Sequence, residues 1–236
     1  MARRIPENRF DELVRAATQV FIERGYRRTQ MSDVAEAVGV AKGTLYGYVE
    51  SKDALLVLCL GAADEAGPIR LPDSLPLASP PIGFLGAGVK AALAQEAAQP
   101  RLDLALSRES VEDVAAEARE VIGELYDLMY ANRHRIKLLD RCLDHPELQD
   151  VWQTEGREGT RRALARYLEH RVATGHFRSL TNRRLAARIV LETCATWAVH
   201  IHWDRVPEVF DPQEVREMTI DFLVRGLLAR APVEAA

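Results

Sequence analysis

The segment from Lys42 to Val49 concentrates side chains that can donate hydrogen bonds to phosphate groups. One cation and three hydroxyl groups fall within it, carried by Lys42, Thr44, Tyr46 and Tyr48. Proteins use such groups to contact the backbone of nucleic acids when a scaffold presents them on one surface. If the segment is helical, Leu45 and Val49 lie one turn apart and face inward, which leaves the polar side chains largely outward.

A second helical pattern and a glycine turn precede this segment. The helix is predicted, over about ten residues, by the apolar stripe Met31, Val34, Ala35 and Val38. Thr29 is its candidate N-cap, and Gly39 ends it. The next helix is predicted from Lys42 to about Val49. In such a pair the second helix can enter the major groove of DNA, which is ~12 Å wide.

The segments on either side are helical in pattern as well. Residues 6 to 24 carry an amphipathic stripe formed by Phe10, Leu13, Val14, Ala17 and Phe21. Gly25 ends this helix, and Tyr26 is placed to fold back on its last turn. A fourth helix is predicted from Lys52 to about Ala66. The polar segment therefore follows two predicted helices and precedes a third.

The N-terminal segment resembles the DNA-binding domain of the tetracycline-repressor (TetR) family. The matching residues are Ala16-Ala17, Phe21, Gly25-Tyr26, Thr29, Val34-Ala35, Gly39-Val40, Lys42-Gly43-Thr44-Leu45-Tyr46, Lys52 and Leu55. They cover about a quarter of the chain. The remainder is similar to the family only in its helical pattern and its length.

The resemblance assigns roles to residues of the second and third helices. It implies phosphate contacts by Thr29, Lys42, Tyr46, Tyr48 and Lys52. It places Thr44 and Gly47 closest to the base edges, while Gly43 lets the backbone approach a partner or a phosphate. The implied fold is all-α, with a three-helix helix-turn-helix domain over residues 1–53 and a helical effector-binding and dimerisation domain over residues 54–236.

Three positions depart from the family pattern. Ala41 stands where Ser or Thr usually precedes the recognition helix, so a cap worth ~1 kcal/mol is expected to be missing. Tyr48 and Val49 replace a common His-Phe pair, which alters a backbone contact. Gly47 has no side chain at a base-proximal position, so direct readout there is expected to be weak.

Proline interrupts the chain after the fourth helix. Residues 67–81 are predicted to form a loop because they contain Pro68, Pro72, Pro76, Pro80 and Pro81. Further helices are predicted at roughly 83–98, 108–132, 134–143, 147–174, 181–203 and 212–230. Alternating runs of β-branched residues are absent from the sequence, which favours the all-α fold.

The C-terminal region is expected to bind a small-molecule effector and to form a homodimer. The candidate pocket residues are Tyr126, Met129, Tyr130, Trp152, Trp197, His200 and Trp203, since apolar and aromatic walls with a few polar groups are typical of such pockets. Each residue alone is more often plain core. Dimerisation is predicted through residues 181–230, whose apolar stripes could form a four-helix bundle or merely cover the chain's own core.

Metal, cofactor and catalytic functions find little support in the sequence. His200 and His202 point about 200° apart on a helix and cannot share one ion. Cys59, Cys142 and Cys194 lie far apart, which predicts reduced core thiols. Recognised catalytic and nucleotide-binding motifs are missing. We therefore expect neither a cofactor nor an enzymatic activity.

Charge and hydropathy limit the partners. The net charge is −4, but residues 1–53 hold nine basic and eight acidic side chains. Any positive electrostatic potential that attracts DNA must therefore come from a few locally placed cations. Because no apolar run reaches ~20 residues and no signal-peptide core follows the N-terminus, a cytoplasmic protein without a membrane partner is expected.

Two interpretations follow from the sequence. The first is a ligand-responsive transcription repressor that a small molecule releases from a palindromic double-stranded DNA operator. The second is an all-helical enzyme or protein-binding adaptor whose N-terminal helices only pack. The Lys, Thr and Tyr side chains of the third helix distinguish the two, because mere packing does not require their exposure.

Overall fold

The computed structural model describes residues 7–96, 99–151 and 158–229. The helices are α1 (Glu7–Arg24), α2 (Met31–Val38), α3 (Lys42–Leu45), α4 (Lys52–Ala62), α5 (Phe84–Glu96), α6 (Pro100–Ser107), α7 (Val114–Ala131), α8 (Arg133–Arg141), α9 (Gln149–Val151), α10 (Gly159–Ala173), α11 (Arg183–Ala198), a 3₁₀ helix (His200–Trp203) and α12 (Pro212–Leu227). The described ranges contain two isolated β-bridges and no strand. The predicted all-α fold is therefore confirmed. No helix in these ranges is both long and apolar enough to cross a membrane.

Some helices begin at other residues than predicted, for local reasons. Pro100 starts α6, because proline fits the first turn of a helix, whereas the sequence pattern treated it only as a break. The helix predicted from residue 108 begins instead at Val114. Asp113 caps it, since its carboxylate accepts a hydrogen bond from the Ala116 amide at 2.9 Å.

The chain divides into two compact units. The first comprises the described residues within Met1–Ala92 and His134–Gln153, and the second those within Leu93–Arg133 and Thr154–Ala236. These two units are defined by how the residues pack. The boundary expected at residue 53 is of another kind, because it separates a DNA-binding from an effector-binding domain, and it stays a prediction.

The first unit is built on α1, which packs against α2 and α4. The predicted apolar stripe of α1 is buried throughout, and it consists of Phe10, Leu13, Val14, Ala17 and Phe21. The guanidinium group of Arg141 donates hydrogen bonds to the carbonyl oxygens of Ile22 (2.7 Å) and Glu23 (2.8 Å). These carbonyls belong to the last turn of α1 and lack partners within the helix. The end of α8 therefore caps the end of α1.

Asp144 holds the turn that follows α1. Its carboxylate accepts hydrogen bonds from the amides of Tyr26 (3.2 Å) and Arg27 (2.9 Å). Gly25 has a φ of +79°, and a Cβ there would lie 2.8 Å from the carbonyl oxygen of Arg141. Only glycine fits this approach. The turn between α1 and α2 is consequently held by a segment more than a hundred residues away.

The second unit contains α6, α7, α10, α11 and α12, with a buried ion pair between α10 and α7. Arg171 is fully buried and donates to both carboxylate oxygens of Glu117, at 2.7 and 2.8 Å. It also donates to the carbonyl oxygen of Ala105 at 2.8 Å. A buried charge is tolerated when it is paired and hydrogen-bonded in this way. Arg171 therefore ties α10 to both α6 and α7.

The three cysteines are free and buried. Burial raises the thiol pKa of Cys59, Cys142 and Cys194 to about 12. The thiols are therefore protonated at neutral pH, and the prediction of core thiols is confirmed.

Candidate nucleic-acid interface

Helices α2 and α3 pack together around the predicted glycine turn. Gly39 adopts a left-handed conformation with a φ of +70°. Its amide donates to the carbonyl oxygen of Glu36 at 3.0 Å, and the Val40 amide donates to that of Ala35 at 2.9 Å. A glycine in this conformation ends a helix and reverses the chain. The sequence therefore forms the expected helix-turn-helix.

Helix α3 is shorter than predicted. It ends at Leu45, and residues 46–48 continue as a turn. The amides of Gly47 and Tyr48 form tighter bonds to residues three positions earlier, each 3.0 Å long, and glycine disfavours a continuing α-helix. The prediction of a helix as far as Val49 was therefore wrong. The predicted lack of a cap is confirmed, because the Ala41 N-cap makes no side-chain hydrogen bond.

The inward side of this segment contains Leu45 and Val49, both fully buried as predicted. Tyr48 was expected to point outward, and this orientation was wrong, since the side chain is only 3% exposed. Its ring lies 6.1 Å from that of Phe10, and burial raises its pKa. The chain has left helical geometry at Tyr48, so the helical face assignment does not apply there.

The outward side keeps five of the eight predicted DNA-binding residues exposed: Lys42, Gly43, Thr44, Tyr46 and Gly47. The ammonium group of Lys42 lies 6.0 Å from the centre of the Tyr46 ring. Apart from its chain neighbours and the backbone of α3, no described part of the protein lies within 4 Å of the position that a Cβ of Gly43 would occupy. A partner backbone can therefore approach α3 closely at Gly43.

Thr29 and Lys52 bond within the protein. The Thr29 hydroxyl is buried and donates to the carbonyl oxygen of Gly25 at 2.7 Å, and the N-cap of α2 is Gln30 instead of the predicted Thr29. The Lys52 ammonium donates to the carbonyl oxygens of Tyr26 (2.9 Å) and Thr29 (3.0 Å). Two of its three N–H groups are thereby used. Phosphate contacts by Thr29 and Lys52 stay predictions.

Tyr26 connects this network to α4. Its ring stacks on that of Phe21, so it folds back on the end of α1 as predicted, and it lies 4.1 Å from the Lys52 ammonium. Its hydroxyl is hydrogen-bonded to Asp53. Burial, and then this bond, raise the pKa of the Tyr26 hydroxyl. Sequence reasoning missed Asp53 and Asp144, and the only local signal was the acidic residue in the first turn of α4.

Several of the predicted effector residues come together in the second unit. The rings of Tyr126 and Tyr130 stack at 6.4 Å, and the Tyr126 hydroxyl donates to the carbonyl oxygen of Trp197 at 3.3 Å. His202 joins them, 5.6 Å from the Tyr130 ring and 6.1 Å from that of Trp203. Met129 and His200 are half-buried. Trp152 lies outside the described residues.

Sequence reasoning missed three members of this aromatic cluster. Phe210 lies 6.5 Å from the Trp197 ring, the guanidinium carbon of Arg133 lies 4.5 Å from the Tyr130 ring, and the third is His202. His202 had been considered only as a metal ligand, and Phe210 precedes α12 in a segment without helical periodicity.

Two surface clefts in the second unit lie elsewhere. One is lined by Arg119, Arg216, Glu217, Met218, Ile220 and Asp221. The other is lined by Arg101, Arg119, Glu120, Gly123, Glu124, Asp127, Leu128 and Arg216. Their charges are paired across the clefts, for example Arg216 with Asp127 at 2.6 Å. Neither cleft is lined by a predicted effector residue, so the effector assignment stays a prediction.

A short helix with exposed hydrogen-bond donors, set behind a glycine turn and anchored by apolar residues, defines a helix-turn-helix DNA-binding domain. Comparison with known proteins supports this assignment of residues 13–59 to a DNA-binding domain. Residues 13–59 match the sequence model described as bacterial regulatory proteins, tetR family. The N-terminal segment is therefore similar to the DNA-binding region of tetR-family regulatory proteins.

Two curated relatives match this chain over segments of similar length. The HTH-type transcriptional repressor DhaR of Mycobacterium sp. (strain GP1) is 48% identical over 42 residues, which cover 18% of this chain and 21% of DhaR. The fatty acid metabolism regulator protein of Bacillus subtilis (strain 168) is 37% identical over 49 residues, which cover 21% of this chain and 25% of the relative. The similarity therefore spans at most a quarter of the relatives' length.

A solved structure extends the likeness in fold. The ketosteroid transcriptional regulator KstR2 of Mycobacterium tuberculosis has a TM-score of 0.57, and the alignment covers 96% of this chain and 98% of that protein. At 16% sequence identity, this likeness concerns the fold alone.

We expect Lys42→Ala and Tyr46→Phe to weaken DNA binding while the protein stays folded, because both side chains are exposed, Lys42 on α3 and Tyr46 directly after it. Removing one phosphate contact at Lys42 should also make the salt dependence shallower by about one unit. The measurement is a titration of labelled duplex DNA at several salt concentrations. Lys90→Ala removes a lysine from α5 and serves as the control. Wild-type affinity in the Lys42 and Tyr46 variants would contradict the assignment of α3.

Proposed function

We propose that the chain is a ligand-responsive transcription repressor that binds a palindromic operator in double-stranded DNA and is released by a small molecule. The observation that carries this proposal is the exposure of Lys42 and Thr44 on α3 and of Tyr46 directly after it. The ammonium and hydroxyl groups can donate to phosphates and to base edges in a major groove. Helix α3 is then the recognition helix.

The alternative of an enzyme or adaptor is less well supported. Helices that only pack would not require a lysine, a threonine and a tyrosine to be exposed within five consecutive residues. That interpretation also leaves unexplained why the sequence similarity to transcription regulators falls on residues 13–59.

Selection from a random pool of duplex DNA tests the function. The full-length protein should enrich an inverted repeat, because a two-fold dimer reads two half-sites about one DNA turn apart. Its affinity should fall steeply with salt, by a slope of about 0.9 for each phosphate that a cation neutralises. If the pool yields no common sequence, the chain is not a sequence-specific DNA-binding protein.

We further propose that the aromatic cluster of the second unit lines the effector pocket. Tyr126, Tyr130 and Trp197 supply apolar walls, and His202 lies against the Tyr130 ring. Pockets for small molecules combine such walls with a few polar groups that orient the ligand. An apolar or aromatic effector suits this composition.

Tryptophan emission can test this pocket with anilinonaphthalene sulfonate, an apolar aromatic dye. Binding of the dye should quench the emission, and Trp197→Phe should remove most of the quenching, because Trp197 belongs to the proposed wall. The dye should also release the selected duplex from the protein. Equal quenching in the variant and the wild type would move the pocket elsewhere.

We propose that the protein is a homodimer through residues 181–230. More than half of the surface of each of four large apolar side chains is exposed on α11 and α12, namely Leu185, Ile189, Met218 and Phe222. Exposed apolar patches on adjacent helices are typical of interaction surfaces. Thr219, Leu223 and Leu227 are buried instead. The apolar side chains of α12 therefore fall into two lines, one in the chain's own core and one facing outward.

Phe222→Arg should convert the dimer into monomers, because it places a charge in the proposed apolar interface. Light scattering would report the mass, and circular dichroism should show unchanged helicity. The selected operator should no longer be bound tightly. Phe84→Arg is the matched control, since it charges an exposed aromatic residue of the first unit. A Phe222→Arg protein that stays dimeric would refute this interface.

A further inference from the structure

The proline-rich segment is hydrogen-bonded at its start to α1 and at its end to the residues that follow α3. We call residues 67–79 the strap. At its start, the guanidinium group of Arg15 donates to the carbonyl oxygen of Gly67 at 3.0 Å. The amide of Ile69 donates to the carboxylate of Asp11 at 3.1 Å, and the Ile69 side chain is buried. The strap therefore begins against α1.

The other end of the strap pairs with the chain that leaves the recognition helix. The amide of Leu77 donates to the carbonyl oxygen of Tyr48 at 2.8 Å, and the amide of Glu50 donates to that of Leu77 at 2.9 Å. These two bonds form a parallel β-bridge between Val49 and Leu77. The amide of Ser79 adds a bond of 3.0 Å to the Glu50 carboxylate.

Few other interactions fix the ends of the recognition helix α3. It contains four helical residues and no side-chain cap at Ala41. Helices this short do not form by themselves, because the first turn fixes several residues for one hydrogen bond. The burial of Leu45 and Val49 in the core orients the inward side of the segment. The strap supplies the backbone partners immediately after it, at residues 48 and 50.

We propose that the strap positions the recognition helix for DNA binding, by holding residues 48–50 through the backbone of Leu77. The proposal rests on the proposed DNA-binding function. The strap residues do not contact DNA; they restrain residues 48–50, which follow the residues proposed to contact it.

The composition of the strap suits this role. Pro68, Pro72 and Pro76 each fix one backbone dihedral, so docking the segment costs less conformational entropy than docking a flexible loop of the same length. Proline also lacks an amide donor, so few amides in the strap need a partner when it packs against α1. The amides of Ile69, Leu77 and Ser79 have partners in the first unit.

Leu77→Pro tests the proposal, because proline removes the amide that bonds to Tyr48. Leu77→Ala is the control, since it shortens the side chain but keeps that amide. Hydrogen exchange of the amides of residues 46–50 should be faster in Leu77→Pro than in Leu77→Ala, by roughly three- to tenfold for one lost hydrogen bond. Affinity for the duplex selected by the wild-type protein should fall by a similar factor, with an unchanged thermal midpoint for the second unit.

The outcomes separate the proposals. Equal exchange in the two Leu77 variants would refute the strap as a restraint, whether or not the protein binds DNA. Faster exchange with unchanged affinity would refute its role in positioning. A wild-type protein that selects no duplex would overturn the proposed function and with it the positioning role, whereas the exchange result would still decide whether the strap holds residues 48–50.

A variant at the other anchor covers the case in which Leu77→Pro does not fold. Asp11→Ala removes the acceptor of the Ile69 amide. Glu12→Ala is its control, because Glu12 is an exposed residue of the same helix that pairs with Arg9. Asp11→Ala should weaken duplex binding and speed exchange at residues 46–50, and Glu12→Ala should leave both unchanged. Equal values in these two variants would overturn the proposal.

Discussion

The recognition helix is a single turn, and the arrangement of the first unit follows from that constraint. A segment of four helical residues cannot order itself in water. Its position is set by the burial of Leu45 and Val49. The turn before α2 is held in addition by the Lys52 ammonium, which bonds to two of its carbonyl oxygens. The exposed donors of α3 are therefore presented by a scaffold whose polar groups bond inward.

The proposed binding of DNA by a protein with a net charge of −4 depends on where its charges lie. Residues 1–53 hold nearly equal numbers of basic and acidic side chains, and many pair with one another, as Arg24 does with Asp33 at 2.9 Å. Pairing of this kind leaves little net field. The positive charge of Lys42 is exposed beside the hydroxyl donors of Thr44 and Tyr46, where it can attract phosphate.

Periodicity predicted most of the fold, because buried stripes and glycine stops are properties of neighbouring residues. The stripe of α1, the turn at Gly39 and the inward Leu45 are examples. Tyr48 could not be placed in this way, because its orientation depends on where α3 ends. The bonds from Asp144 to Tyr26 and from Leu77 to Tyr48 join residues distant in sequence. No local pattern specifies such partners, so the strap was predicted only as a loop.

Dimethyl sulfate interference on a selected duplex tests the central claim most directly, because methylation of guanine N7 blocks the major groove and methylation of adenine N3 the minor groove. If α3 enters the major groove in each half of a dimer, guanine methylation should abolish binding in two symmetric clusters about one DNA turn apart. Adenine methylation within those clusters should have little effect. Interference that is confined to adenine N3, or that lacks two-fold symmetry, would contradict the account.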